Sequence, residues 1–259
     1  STAAWHNAHT TTQKGLLLRL QMLKAAGLPA MRLVPNSKLE ALGRIPRSHE
    51  GHQVDAIEAV TRCGASTKAG ERNRWLAVLL FYSHRWRRPN WCETLQKDLP
   101  WSDPERQRAM GEGHTFGDPD DAEHSKARAL IEYAAWFKRK AQTTDSVMAD
   151  ITKDANLEIF WWIDWACTDQ DNPGPDMAAL PAYAAVCAGM VAAWSDEYAG
   201  RAWCQVEMLM SYAFITTGKK LFVVPDGFDR GATRSLKANK EKLTVPNPAQ
   251  GHLTNDKDR

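Results

Sequence analysis

Cysteine is scarce and unpaired in this 259-residue chain: Cys63, Cys92, Cys167, Cys187 and Cys204 are widely spaced and form no CxxC pair. An odd, scattered set argues against a disulfide framework and a cysteine zinc site, and it suits a reducing, cytoplasmic setting. An excess of either charge is also missing. Thirty-three Lys and Arg against 31 Asp and Glu leave a net charge of +2, so there is no global electrostatic case for nucleic acid or an anionic membrane, and a basic site must be local. The opening residues lack a basic start followed by an apolar run, so no secretory leader is expected. One long uncharged run exists, Met177 to Trp194, but eight of its residues are alanine and Pro181 and Gly189 interrupt it. It reads as a buried helix followed by a buried strand rather than a membrane span.

An apolar content of 43% over this length supports a substantial core, as one large domain or a domain with an extension. Residues 1–70 read as an appended helical extension. Leu16, Leu17, Leu20 and Leu23 suit an amphipathic helix ending at Gly27, Pro29, Pro35 and Pro46 punctuate a more irregular passage after it, and a short helix is expected over Asp55 to Thr61. His49 and His52 lie three apart with only Asp55 close by, which reads as surface histidine, so no metal site is expected.

From residue 71 apolar strands alternate with amphipathic helices, the pattern of a three-layer α/β domain with a mainly parallel sheet. Leu76 to Tyr82 is a continuous apolar run, as in a strand buried on both faces. Residues 88–117 form an insertion without sustained periodicity. Asp118-Pro119-Asp120 signals a helix start, and Ala127, Leu130, Ile131, Ala134 and Phe137 trace its inner face up to the capping cations Lys138, Arg139 and Lys140. Glu158 to Asp164 reads as the next strand, with Trp161, Trp162 and Trp165 as core. Asp169 to Asp176 reads as a mobile loop. Helix, strand, helix and strand then occupy Leu180 to Pro225. Beyond Pro225, a turn-like stretch over 226–239, a minor strand over 242–245 and the opening of a helix at 255–259 are expected.

Two stretches carry chemistry. In the helix expected over about 201–217, Trp203, Glu207, Met210 and Phe214 fall within one arc at 100° per residue, which puts a carboxylate on the edge of an apolar stripe. Pairing with an arginine at the core's rim is the plain explanation, since half-buried carboxylates are costly unless partnered. The first strand ends in Ser83-His84-Arg85-Trp86. Small, basic and aromatic side chains at a strand's carboxyl end can receive phosphates and stack on a ring, the alternative being a solvated basic turn.

The run Asp196 to Glu207 resembles the Tyr…Trp-Cys-x-x-Glu segment of Toll/interleukin-1 receptor-like (TIR) domains, and Phe81-Tyr82-Ser83-His84 is similar to that family's first-strand motif. Glu158 to Asp164 resembles its second strand, which ends in an Asp on the pocket side. The resemblance spans roughly residues 74–228. It implies a flavodoxin-like fold and an NAD glycohydrolase or cyclase of defence or signalling, with NAD as substrate rather than cofactor. Glu207 would be the catalytic carboxylate. Ser83, His84 and Arg85 would hold phosphates or ribose, Trp86 or Trp203 would shape the nicotinamide side, and Asp164 and Cys167 would line the pocket. It further implies self-association, a gating role for the 169–176 loop, and a fifth strand and final helix, which are either cut off at the chain's end or replaced by a different closure of the sheet. Two alternatives stand beside it: a non-catalytic TIR-like assembly module, and a nucleoside deoxyribosyltransferase-like enzyme, which also uses a Glu at an anomeric carbon.

Overall fold

The computed structural model describes residues 13–65, 74–100, 102–114, 116–141, 155–170, 172–215 and 221–225. Helix α1 (Gln13–Ala25) turns Leu16 and Leu20 inward, one turn apart. Strand β1 (Arg32–Pro35) leads into α2 (Asn36–Leu42), which stops at Gly43, where φ is +65° and the amide closes on the Leu39 carbonyl. That left-handed residue is where glycine avoids a Cβ penalty. Strand β2 (Val54–Asp55) precedes α3 (Ala56–Ala65), and the Asp55 carboxylate accepts from the amides of Ile57 (2.8 Å) and Glu58 (3.0 Å), satisfying the helix start.

Strand β3 (Arg74–Ser83) is the central apolar run. After it come β4 (Trp91–Cys92), β5 (Lys97–Asp98), α4 (Pro104–Gly111) and α5 (Ser125–Ala141). Strand β6 (Ala155–Ile163) ends in the single turn α6 (Asp164–Cys167). Helix α7 (Gly174–Val186), strand β7 (Gly189–Trp194), the short α8 (Asp196–Ala199), α9 (Ala202–Phe214) and β8 (Leu221–Pro225) complete the described chain. The uncharged run over 177–194 is thus a helix and a strand, as its Ala, Pro and Gly content suggests.

The fold is mixed α/β. Six strands lie in the order β2-β1-β6-β3-β7-β8. The pairs β6/β3, β3/β7 and β7/β8 are parallel, while β1 runs antiparallel to both β6 and β2. The arrangement is compatible with three layers, the sheet lying between helices. Because β6 and β7 flank β3 on opposite sides, the chain reverses its lateral direction beside β3, and the carboxyl ends of β3, β6 and β7 share one edge of the sheet. Such a reversal leaves a crevice outside the strand tips in open α/β sheets.

Two expectations need correction. Residues 1–70 are not a purely helical extension, since β1 and β2 extend the central sheet and Leu16, Leu33, Leu39 and Val60 belong to the same buried cluster as Phe81 and Trp162. A four-residue strand such as Arg-Leu-Val-Pro carries too few periods for pattern reading to detect. The 88–117 insertion is also ordered within its described residues: β4 pairs with β5, Cys92 bridges to Phe116, and Asp103 caps α4 through the Glu105 amide. Cation–ring contacts pack within it, with the Arg88 guanidinium 3.3 Å from the Trp91 ring centre and that of Arg106 4.5 Å from Phe116.

Helix α5 starts at Ser125, later than Asp118-Pro119-Asp120 suggested. Asp121 accepts from the Ser125 amide, and buried Asp120 accepts from the amides of Lys126 and Ala127, each at 2.9 Å. Its inner face carries Ala127, Leu130, Ala134 and Phe137 as the spacing predicts, joined by Tyr133. Trp161, Trp162 and Trp165 are core, as expected. The expectations for 226–259 lie outside the described residues.

Candidate functional site

Strand β3 delivers Ser83 to the sheet's carboxyl edge with no solvent exposure, and α9 delivers Glu207 to the same place. Ser83 Oγ lies 2.5 Å from Glu207 Oε2 and 2.5 Å from the Tyr198 hydroxyl. Three oxygens from β3, α8 and α9 therefore form one hydrogen-bonded line. The arginine partner that the plain reading of Glu207 calls for is replaced by a serine, and Arg201 acts on Glu207 only through its charge.

Asp164 forms a second centre at the tip of β6. Its Oδ1 lies 3.0 Å from His84 Nε2 and 2.6 Å from the Trp165 amide, and its Oδ2 accepts from Trp86 Nε1 at 3.1 Å. His84 stacks on Tyr82 with ring centres 4.8 Å apart, and Trp86 meets Trp165 edge to face at 4.8 Å. Behind His84 stands Lys126, a lysine with no solvent exposure, whose Nζ donates to the Arg85 carbonyl and lies 3.4 Å from His84 Nδ1.

The two acids are driven apart. Burial first, and then the negative charge of Asp164, push Glu207 up from 4.5 to about 8, against the opposing Ser83 hydrogen bond and Arg201 charge. Burial also acts to raise Asp164, but His84, the Trp165 amide and the Trp86 indole outweigh it and hold that carboxyl below its ordinary value. The result is one fixed anion beside one carboxyl that is neutral near pH 7, the division of labour that acid–base sites use. Tyr198 is raised well above its usual value, by burial chiefly, and stays a phenol.

Of the residues named from the sequence, Ser83, His84, Trp86, Asp164 and Glu207 come together here. Arg85 lies beside them in an ion pair with Glu197, at 2.7 Å. Cys167 does not join them. Its buried Sγ lies 3.4 Å from the Ile163 amide and donates to the Trp161 carbonyl at 3.6 Å, tying α6 to β6, and burial pushes the thiol up to about 12. Trp203 is displaced as well, being 43% exposed. The buried face of α9 carries Cys204, Glu207, Met208 and Ser211, the i, i+3, i+4, i+7 set, about one residue's rotation from the Trp203–Phe214 stripe. Large aromatics weigh heavily in a hydropathy pattern, whereas the small Cys204 and Ser211 pack closely against the neighbouring elements.

Three contributors carry no role in the sequence reading. Tyr198 lies within the resembling segment, so a signal for it exists. Lys126 looks like an ordinary surface lysine in a helix. Gly117, with φ at +103°, packs against the Trp86 ring. The 169–176 loop is tied by buried Asp176, which accepts from the Asp169 amide and the Tyr183 hydroxyl, each at 3.2 Å, and pairs with Arg32 at 3.4 Å.

No protein-family model, curated protein or solved structure matches the chain. Among the described residues no group of three or more His, Cys, Asp or Glu is placed to hold a metal ion, and no helix is long and apolar enough to cross a membrane.

Proposed function

We propose that the chain is a TIR-type NAD glycohydrolase or cyclase on a flavodoxin-like fold, cytoplasmic, self-associating and serving defence or signalling. The observation that carries this reading is the buried Glu207 carboxyl, hydrogen-bonded to Ser83 at the strand tips beside the Asp164 anion. The order β6-β3-β7-β8, in which the second parallel strand precedes the first, third and fourth, supports the flavodoxin-like assignment.

In this reading the nicotinamide–ribose bond of NAD breaks and its electron pair leaves with nicotinamide, which departs neutral. The ribose carbon passes through an oxocarbenium-like transition state. Burial favours the protonated form of Glu207, and binding of the cationic nicotinamide ribosyl group beside it favours release of that proton to solvent, so its negative charge grows where positive charge develops. The Ser83 and Tyr198 hydroxyls orient that carboxyl. Water attack on the ribose carbon yields ADP-ribose and a proton, whereas an internal nucleophile yields a cyclic product. Exclusion of water decides between them.

Nicotinamide release from NAD by the purified chain tests the reading, with Glu207→Gln as control. The Gln variant should melt as a folded protein and release none, and turnover retained in it refutes the assignment. A chain that consumes no NAD at any concentration but self-associates is an assembly module. One that exchanges bases in a deoxynucleoside panel is a deoxyribosyltransferase-like enzyme.

A further inference from the structure

The Lys126 side chain is an unusual choice for a fully buried position, because an ammonium removed from water is costly unless its donors are used. It lies behind His84 on the side away from Asp164. The ring is faced by the Asp164 carboxylate at Nε2 (3.0 Å), by the Lys126 ammonium and the Arg85 carbonyl at Nδ1 (3.4 and 3.2 Å), and by the Tyr82 ring across its plane. Other charged or titratable groups around this edge are Glu207, Cys204 and Arg201 on and before α9, Tyr198 on α8, Arg85 with its partner Glu197, and Asp121, which pairs with Arg87 and feels the Lys126 charge.

An ammonium has three donors and no acceptor. Placed against Nδ1, it is matched only by an imidazole whose Nδ1 bears a lone pair. The Arg85 carbonyl also accepts from Lys126, so the ammonium is held between that oxygen and Nδ1. The ring's single proton then sits on Nε2 and is donated to Asp164 Oδ1.

We propose that Lys126 is a positioning residue of this site: its ammonium keeps Nδ1 of His84 bare, so that Nε2 donates to Asp164 and holds that carboxylate in place beside the Ser83–Glu207 pair. With Lys126 removed, nothing cationic faces Nδ1 and the Arg85 carbonyl is open to a proton there, so the ring no longer keeps its donor turned to Asp164. This deepens the catalytic reading above and rests on it for its kinetic consequence alone.

Imidazole nitrogen chemical shifts of the full chain labelled at its 8 histidines, with His84 assigned by its loss in His84→Gln, test the proposal without any substrate. The wild-type ring should show a bare Nδ1 and a protonated Nε2, and Lys126→Met should show a proton on Nδ1. A proton on Nδ1 in the wild type overturns the proposal, whether or not the variant folds. An unchanged ring pattern in folded Lys126→Met overturns it too. In the kinetic arm, Lys126→Met should lower kcat for nicotinamide release tenfold or more with little change in KM. If the wild type releases no nicotinamide, the catalytic reading fails while the nitrogen spectrum still decides the tautomer.

Discussion

A β-carbon built on Gly117 would lie 2.6 Å from Cζ3 of Trp86, so the backbone of the insertion rests directly on the indole that donates to Asp164. The same strand of chain pairs with the loop after β3, through Gly117 to Trp91 (2.8 Å) and the reciprocal Arg88–Asp118 bonds (2.9 and 3.1 Å). The insertion therefore sets where one of the anion's hydrogen-bond donors stands. Gly117→Ala combines a left-handed φ with this overlap and should destabilise the fold by about 1–3 kcal/mol, read as a lower urea midpoint at unchanged slope. A midpoint equal to wild type would show that the ring and the backbone are not held in contact.

Ser83→Ala should cost about 1–3 kcal/mol, because it strands two buried oxygens, those of Glu207 and Tyr198, that have lost their common partner. Tyr198→Phe removes one hydroxyl and leaves Ser83 bonded to Glu207, so it should cost less. Urea denaturation of the two variants checks the order, and a larger loss in Tyr198→Phe would mean that the serine is not the hub.

Stability should decline with rising pH across the range set by Glu207. Its folded-state value is raised from 4.5 to about 8, so between these limits the folded chain holds a proton that the unfolded chain has released. The contribution from this group is most favourable below about 4.5 and is lost on the way to about 8, with a slope of at most about 1.4 kcal/mol per pH unit. Asp164 acts in the opposite sense, since its depressed value gives stability that is present at neutral pH and lost on acidification below its ordinary 3.8. Denaturation of wild type and Glu207→Gln from pH 5 to 8 isolates the first effect: the wild-type decline should be absent from the variant. Parallel curves would place the titration elsewhere.

Trp203→Ser should change stability by no more than about 0.5 kcal/mol and leave nicotinamide release at its wild-type rate, because the indole stands 43% exposed at the solvent end of α9's first turn while Glu207 is buried. A loss of turnover in that variant would return Trp203 to the nicotinamide side, the place that the TIR resemblance implies for it or Trp86.

Much of the architecture is legible in residue order. The apolar run of β3 lies on both faces of a parallel strand, the Ala-rich segment with Pro181 and Gly189 divides into α7 and β7, and α5 buries the spacing-predicted face. The five residues gathered at the strand tips all come from motifs that stand out by chemistry: a strand ending in Ser-His-Arg-Trp, a strand ending in Asp, and an acid inside an apolar helix. What pattern reading misses are short or long-range features. The strands β1 and β2 are too brief to show a period, and the rotation of α9 depends on which side chains are small enough to approach the sheet.

Sequence alone determined that an acid sits in a helix expected over about 201–217, because apolar residues surround it at helical spacing. It likewise determined that a polar and basic turn must come after β3, because charge and proline end the buried run. Only the tertiary structure decided the acid's partner. Ser83 and Glu207 are 124 positions apart, and their meeting depends on β3 and α9 being placed side by side by the strand order. The placement of Lys126 behind His84 was likewise decided there, since a lysine in a helix is indistinguishable from its solvated neighbours until packing removes the water around it.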